Sequence, residues 1–151
     1  MGDFDFLTGS WTVANRMRAK WLVSSDDWNE FPATSRCVPF LDGAANTDEI
    51  AFPTRGYTGL TFRLFDQDHK EWSIWWVDSR RGVLTPPVAG RFAAGVGTFY
   101  GDDTHGEVPV RVRYLWSRMT PTSARWQQAF STDGERTWET NWIMDFTRTV
   151  E

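Results

Sequence analysis

Alternation of apolar and polar residues, broken at hairpin intervals by turn-forming clusters, governs this sequence from its first tryptophan to its last. Trp11, Val13, Asn15, Met17, Ala19 and Trp21 alternate with Thr12, Ala14, Arg16, Arg18 and Lys20. Period two is the spacing of a strand with a polar outer face. The helical alternative, Val13, Met17 and Trp21, fits less well with charges at alternate positions. Nine further segments read as strands: 31–38, 47–52, 57–65, 71–79, 88–93, 96–101, 108–117, 124–131 and 138–147. The breaks LDGAAN, FPTRG, DQDHK, TPPVAG, AAG, GDDTHGE, TPTS and STDGER carry the Gly, Pro, Asn and Asp that turns require. About ten short strands without a long amphipathic helix predict an all-β fold, an antiparallel barrel or sandwich. The one helical candidate is a short turn around Asp3 to Leu7, whose Phe4, Phe6 and Leu7 are placed to plug one end of a barrel.

A chain of 151 residues without a linker or internal repeat reads as a single domain over 1–151. Its aromatic content exceeds what a plain core needs: ten Trp, eleven Phe and three Tyr, each ring able to bury roughly 150–250 Å². The surplus points to a ring-walled ligand cavity, an oligomer interface or an unusually aromatic core. A net charge of −4 argues against a nucleic-acid partner, which needs a dense basic patch. The single Cys37 excludes an internal disulfide and fits a cytoplasmic location. The N-terminal segment lacks the pattern of a secretory signal, Phe6 stands where a myristoylation signal wants Ser or Thr, and no run of eighteen apolar residues suggests a membrane span.

Gly9-Ser10-Trp11, opening the first strand, resembles the Gly-x-Trp signature of lipocalins and the wider calycin superfamily. That resemblance implies a Trp closing the base of an up-and-down β-barrel, with an Arg after the last strand packed over its ring, and Arg148 stands in that place. GYTGLTFRLFD, WSIWWVDSR, GRFAAGVGTFYGDD and SARWQQAFSTDGERTWETNWIMDFTR together look like a family of small uncharacterised bacterial calycin-like domains. The family implies a fold and almost no chemistry. STDGERTW is similar to the Asp-box hairpin of propeller proteins, with Glu135 in place of the usual Gly, and reads as a turn.

Cofactor signals are absent. Gly95-Val96-Gly97 lacks a third Gly and leads into a strand, so no nucleotide loop is expected. Asp102, Asp103 and His105 lack the further ligands a metal would need, and neither His69 nor His105 sits in a nucleophile arrangement. No metal and no cofactor are therefore expected.

Folding the hairpin at Asp66 to Lys70 pairs Phe65 with Trp72, Thr61 with Trp76 and Gly59 with Asp78. One face then carries Tyr57, Gly59, Thr61, Arg63, Phe65, Trp72, Ile74, Trp76, Asp78 and Arg80; Leu60, Phe62, Leu64, Trp75 and Val77 lie on the other. The same folding of the later hairpins groups Arg111, Arg113, Leu115, Trp126, Gln128, Phe130, Asn141 and Ile143. If the mixed face lines a cavity, the expected ligand-binding residues are Asn15, Arg63, Trp72, Trp76, Asp78, Arg111, Arg113, Trp126, Gln128 and Asn141. Any inward arginine must meet a carboxylate, an amide oxygen or an anionic ligand, with Asp48, Glu49, Asp78 and Asp145 available. The apolar outer face then needs cover, which suggests a homodimer.

Three functions follow from this layout. The first is binding of a small, largely apolar aromatic or polyketide-like molecule anchored by Arg and Asn or Gln. The second is a cofactor-independent cyclase, isomerase, dehydratase or decarboxylase in the same cavity, with Asp78 or Glu49 as base, Tyr57 or Tyr114 as proton donor and an arginine stabilising an oxyanion. The third is a structural barrel with a filled core. Ligand sites usually begin at about 300 Å³, so cavity volume separates the third from the others.

Overall fold

A computed structural model describes residues 2–150. Ten antiparallel strands close into one barrel in chain order, each paired with its sequence neighbours and the first with the last. They are β1 (Gly9–Arg18), β2 (Trp28–Phe40), β3 (Ala45–Phe52), β4 (Tyr57–Asp66), β5 (Glu71–Asp78), β6 (Val88–Ala93), β7 (Val96–His105), β8 (Val108–Ser117), β9 (Ser123–Ser131) and β10 (Glu139–Arg148). Closure removes the exposed edges an open sheet would leave. The all-β antiparallel fold expected from the alternation is observed, and of the barrel and sandwich it left open the chain adopts the up-and-down barrel that the Gly-x-Trp resemblance implied. No helix among the described residues is long and apolar enough to cross a membrane.

One end of the barrel is closed. A 3-10 turn at Asp5–Leu7 brings Phe4 and Leu7 inside, and the Phe4 ring lies 5.0 Å from both Trp72 and Phe92, edge to face. Trp11 is buried beside this turn and donates its indole N–H to the Leu7 carbonyl at 2.8 Å. Arg148 lies over Trp11 at 4.2 Å from the ring centroid while its guanidinium donates to the carbonyls of Thr8, Phe6 and Pro121. Gly9 has φ +113°, and a Cβ there would lie 2.8 Å from an Arg148 nitrogen, so the glycine of Gly-x-Trp makes room for the arginine that covers the tryptophan. The inference from Gly9, Trp11 and Arg148 thus has a physical basis in this chain.

The hairpin β4–β5 has the expected register, with Phe65 opposite Trp72, Thr61 opposite Trp76 and Gly59 opposite Asp78. Two other expectations need correction. The strand read through Trp21 ends at Arg18, where the Ala19 N–H donates to the Asp27 carbonyl and Leu22 and Ser24 take positive φ. Glu139 accepts the backbone N–H groups of both Leu22 and Ser24, tying this loop to the start of β10.

The second correction concerns β8 to β10. Tyr114 lies opposite Gln128 and Trp116 opposite Trp126, so β8 turns Val112, Tyr114 and Trp116 inward; Arg111, Arg113 and Leu115 are on the outer face. In β10 a bulge between Thr140 and Trp142 shifts the pairing by one residue. Trp142, Met144 and Phe146 therefore join Trp126 and the rest of the inward set, and Ile143 leaves it. A single extra residue exchanges faces for the rest of a strand, which period-two reasoning cannot detect without the pairing.

Candidate functional site

Above the aromatic plug the barrel interior holds a small chamber of about 60 Å³. Trp76, Tyr114, Trp116, Trp126 and Trp142 supply its rings, and Ser35, Asp48, Thr61, Arg63 and Gln128 its polar groups. The chamber is below the usual ligand volume on its own. Four of its wall residues, Trp76, Tyr114, Gln128 and Trp142, also wall a wider mouth of about 260 Å³. Neither space by itself reaches the roughly 300 Å³ at which small-molecule sites usually begin, so a ligand here would have to span both.

Trp76 owes its position to Gly59 across the strand pair, because any Cβ at residue 59 would run into the Trp76 ring. Its ring meets Trp142 edge to face at 6.1 Å, and Trp142 meets Trp126 in the same way at 5.3 Å. Three tryptophans from β5, β9 and β10 thus form one connected wall. Such edge-to-face packing suits the quadrupoles of the rings and holds each in place.

The chamber's charge is an internal pair. Arg63 is buried and donates to Asp48 at 2.7 Å and to the Asn46 side-chain oxygen at 2.8 Å. Strand register brings the three together, Asn46 opposite Arg63 and Asp48 opposite Thr61. The Arg63 guanidinium also lies 5.2 Å from the Phe4 centroid and 5.8 Å from that of Trp116. Its Nε and the Trp116 indole N–H have no hydrogen-bond partner in the protein. Cys37, opposite Asp48, is buried, and desolvation pushes its thiol up to about 11, so it is protonated at neutral pH.

A second polar group stands higher in the barrel. Gln128 donates to the Asn141 side-chain oxygen at 2.9 Å, and the Trp142 indole donates to Asn15 at 2.9 Å. Asn141 occupies the bulge, so the irregularity that reverses β10 also buries an amide beside Gln128. Asn15, Arg63, Trp76, Trp126, Gln128 and Asn141 are all in the interior. Trp72 is inside but belongs to the plug, where it packs on Phe4 and Phe65 and donates to Asp3 at 3.1 Å.

Asp78 lies at the mouth and takes two hydrogen bonds from the Arg80 guanidinium, at 2.8 and 3.2 Å. Those bonds hold its carboxyl below the usual carboxylate range despite the opposing effect of burial. Arg80 also lies 3.7 Å from the centroid of Tyr57, whose phenol is pushed up chiefly by burial. Burial likewise pushes Tyr114 far up. Glu49, between the inward Asp48 and Ile50, is exposed on the outer face. Arg111 pairs with Asp102 at 3.3 Å, and Arg113 lies over Trp138 at 4.5 Å from its centroid, both outside the barrel. Asp145 holds Arg125 through bonds of 2.7 and 3.0 Å on that surface. Glu49, Arg111 and Arg113 are therefore remote from the chamber that holds Arg63.

Several wall residues were not legible beforehand. Trp116 and Trp142 were masked by the register of β8 and the bulge in β10. Trp21 and His105 stack at 5.4 Å on the mouth, a contact between distant segments that no local pattern encodes. No cluster of three or more His, Cys, Asp or Glu side chains placed to share a metal ion occurs among the described residues, Asp102, Asp103 and His105 included.

The fold has a counterpart among solved structures. An S-type phycobiliprotein lyase from Guillardia theta is similar over 98% of this chain and 91% of its own, with a TM-score of 0.59 and 11% identity. At that identity the likeness shows the fold alone. No protein-family model matches the sequence, and no curated protein is significantly similar to it.

Proposed function

We propose that this is a cytoplasmic binding protein for a small, largely apolar organic molecule, aromatic or polyketide-like, seated in the mouth with its inner end in the chamber. The observation that carries the reading is a chamber and a mouth that share Trp76, Tyr114, Gln128 and Trp142 in their walls, with Arg63 fixed at the side of the chamber. Rings supply burial, and a few immobilised polar groups fix orientation, which is the usual division of labour in a ligand pocket. The volume favours a ligand of one or two fused rings. The anchors are Arg63 and Gln128, with Asn15 and Asn141 acting behind the wall by accepting from Trp142 and Gln128.

Binding rather than turnover is the better reading of the acid–base groups. Asp78 is a weak base in its bonds to Arg80, Glu49 faces away, and Tyr57 and Tyr114 are poor acids. The test is titration with 2-ethylnaphthalene followed by tryptophan fluorescence and thermal unfolding. Saturable quenching and a rise in Tm are expected, the stabilisation reaching about 2.7 kcal/mol at a hundredfold excess over Kd. Thr61→Phe, which fills the chamber, should abolish the effect. Absence of saturable binding by the wild-type protein would overturn the reading, and conversion of a bound probe on prolonged incubation would favour an enzyme.

The reading includes a homodimer formed through the outer face of β4 and β5, where Leu60, Phe62, Leu64, Trp75 and Val77 make a partly exposed apolar stripe. Phe62 and Trp75 pack at 5.9 Å, giving the stripe a rigid centre. Sedimentation velocity checks it: the wild type should run as a dimer and Trp75→Glu as a monomer.

A further inference from the structure

We infer that the ligand carries a cationic amine, held at the mouth by the Asp103 carboxylate and the aromatic rings beside it. The inference rests on the binding function proposed above and specifies the chemistry of its ligand. Its basis is the distribution of charge around the mouth. Asp78 is paired with Arg80 at 2.8 Å, and Asp102 turns outward to Arg111 at 3.3 Å. Asp103 lines the mouth, half-buried, and has no ion pair among the described residues. Alternation along β7 puts it on the inner face with the buried Phe99 and Gly101, opposite the buried Val110. Tyr114, which walls both mouth and chamber, is pushed up first by burial and then by the charge of Asp103, so that charge is felt at the inner wall. Within the protein Asp103 accepts one hydrogen bond, from the Thr104 N–H to Oδ1 at 2.7 Å.

A half-buried carboxylate with no cation beside it favours a ligand that brings the opposite charge. An ammonium has only donors and an ionised carboxylate only acceptors, so the two match. The rings around Asp103 favour the same charge. Trp21 stacks on His105 at 5.4 Å and meets Phe130 edge to face at 5.3 Å, and all three line the mouth. The negative face of an aromatic ring attracts a cation and repels an anion. Arg81, the other charge at the mouth without an ion pair among the described residues, is exposed on the loop after β5, where water screens it. Arg80 is committed to Asp78, so neither arginine competes with Asp103 as the fixed charge that a buried ligand meets.

Isothermal titration of the full chain at pH 7 with three probes of similar shape provides the test: 2-naphthylmethylamine, 2-ethylnaphthalene, in which a methyl group replaces the ammonium, and 2-naphthoate. The amine should bind more tightly than the naphthoate. Asp103→Asn keeps the shape of the side chain and removes its charge. It should weaken binding of the amine about tenfold and leave that of the ethyl compound unchanged, so retained binding of the latter also reports an intact fold. Asp102→Asn, on the same strand but turned outward, should change the affinity for the amine less than twofold. Unchanged affinity of Asp103→Asn for the amine, or an equal loss for the amine and the ethyl compound, would overturn the inference while the wild type's binding of the ethyl compound keeps the binding function in place. An equal loss in Asp102→Asn would replace a contact at Asp103 with the general field of the rim and overturn it too. Tighter binding of the naphthoate by the wild type would assign the mouth to anions. Failure of all three probes to bind would remove the binding function and the inference together.

Discussion

The two ends of this barrel are built from the same materials to opposite effect. At the closed end, Phe4, Trp11, Trp72, Phe92 and Phe99 fill the bore, and the polar atoms of Trp11 and Arg148 are satisfied by backbone carbonyls. Toward the mouth, Trp76, Trp126 and Trp142 line a space rather than fill it, with the Trp142 indole donating to a side-chain amide, Asn15, in place of a backbone carbonyl. Aromatic abundance therefore has two separate uses here: closure at one end and walls at the other. Which use a ring serves depends on whether the N-terminal segment reaches it.

The difference can be broken most sharply at the closed end. Phe4→Ala and Trp11→Ala should each lower unfolding free energy by about 3–5 kcal/mol, the range for truncating a large buried aromatic, as read by urea denaturation. A loss below 1 kcal/mol for both would mean that the plug is not part of the folding unit. Next in size, Arg148→Met should cost about 2 kcal/mol, combining the contact over Trp11 with three lost bonds to backbone carbonyls, and should leave probe binding at the mouth unchanged.

At the mouth the order of effects reverses. Gly59→Ala pushes the Trp76 ring out of its place, so titration with 2-ethylnaphthalene should show a larger loss of affinity than Arg148→Met produces. Arg113→Ala, on the outer face against Trp138, should change probe affinity less than twofold. A large loss there would restore Arg113 to the cavity and contradict the β8–β9 register.

The smallest effects belong to the turn between β9 and β10, whose Ser131, Asp133 and Thr137 form the hydrogen bonds of an Asp-box hairpin. Hydrogen bonds from Thr137, then Ser131, hold Asp133 at about 2, against an ordinary value of 3.8. A depressed folded value contributes stability above pH 3.8 that is lost as pH falls through about 2, so Asp133→Asn should flatten the acid limb of a stability profile over that window. Glu135 occupies the glycine position of the box with φ +72°, and Glu135→Gly should raise stability by about 1 kcal/mol in thermal unfolding by relieving a left-handed backbone.

Much of this was legible in the chain. Strand positions, the β4–β5 register, the plug and the partnership of Gly9, Trp11 and Arg148 depend on local spacing or on a tight hairpin, where neighbours in sequence are neighbours in space. The cavity wall was legible for Arg63, Trp76, Trp126 and Gln128. It was not for Tyr114 as the inward member of β8, nor for Trp116 and Trp142. Their orientation depends on the β8–β9 register and on one bulged residue near Asn141.

By itself the sequence determined an all-β chain of about ten antiparallel strands with aromatic residues on alternating faces, because period two and turn chemistry are local properties of the backbone. Only the tertiary structure decided which rings fill the bore and which leave it open, that Arg63 is balanced by Asp48, and that Arg111 and Arg113 face outward. Pairing register and a one-residue bulge set those outcomes, and both are fixed by cooperation between strands when the barrel closes.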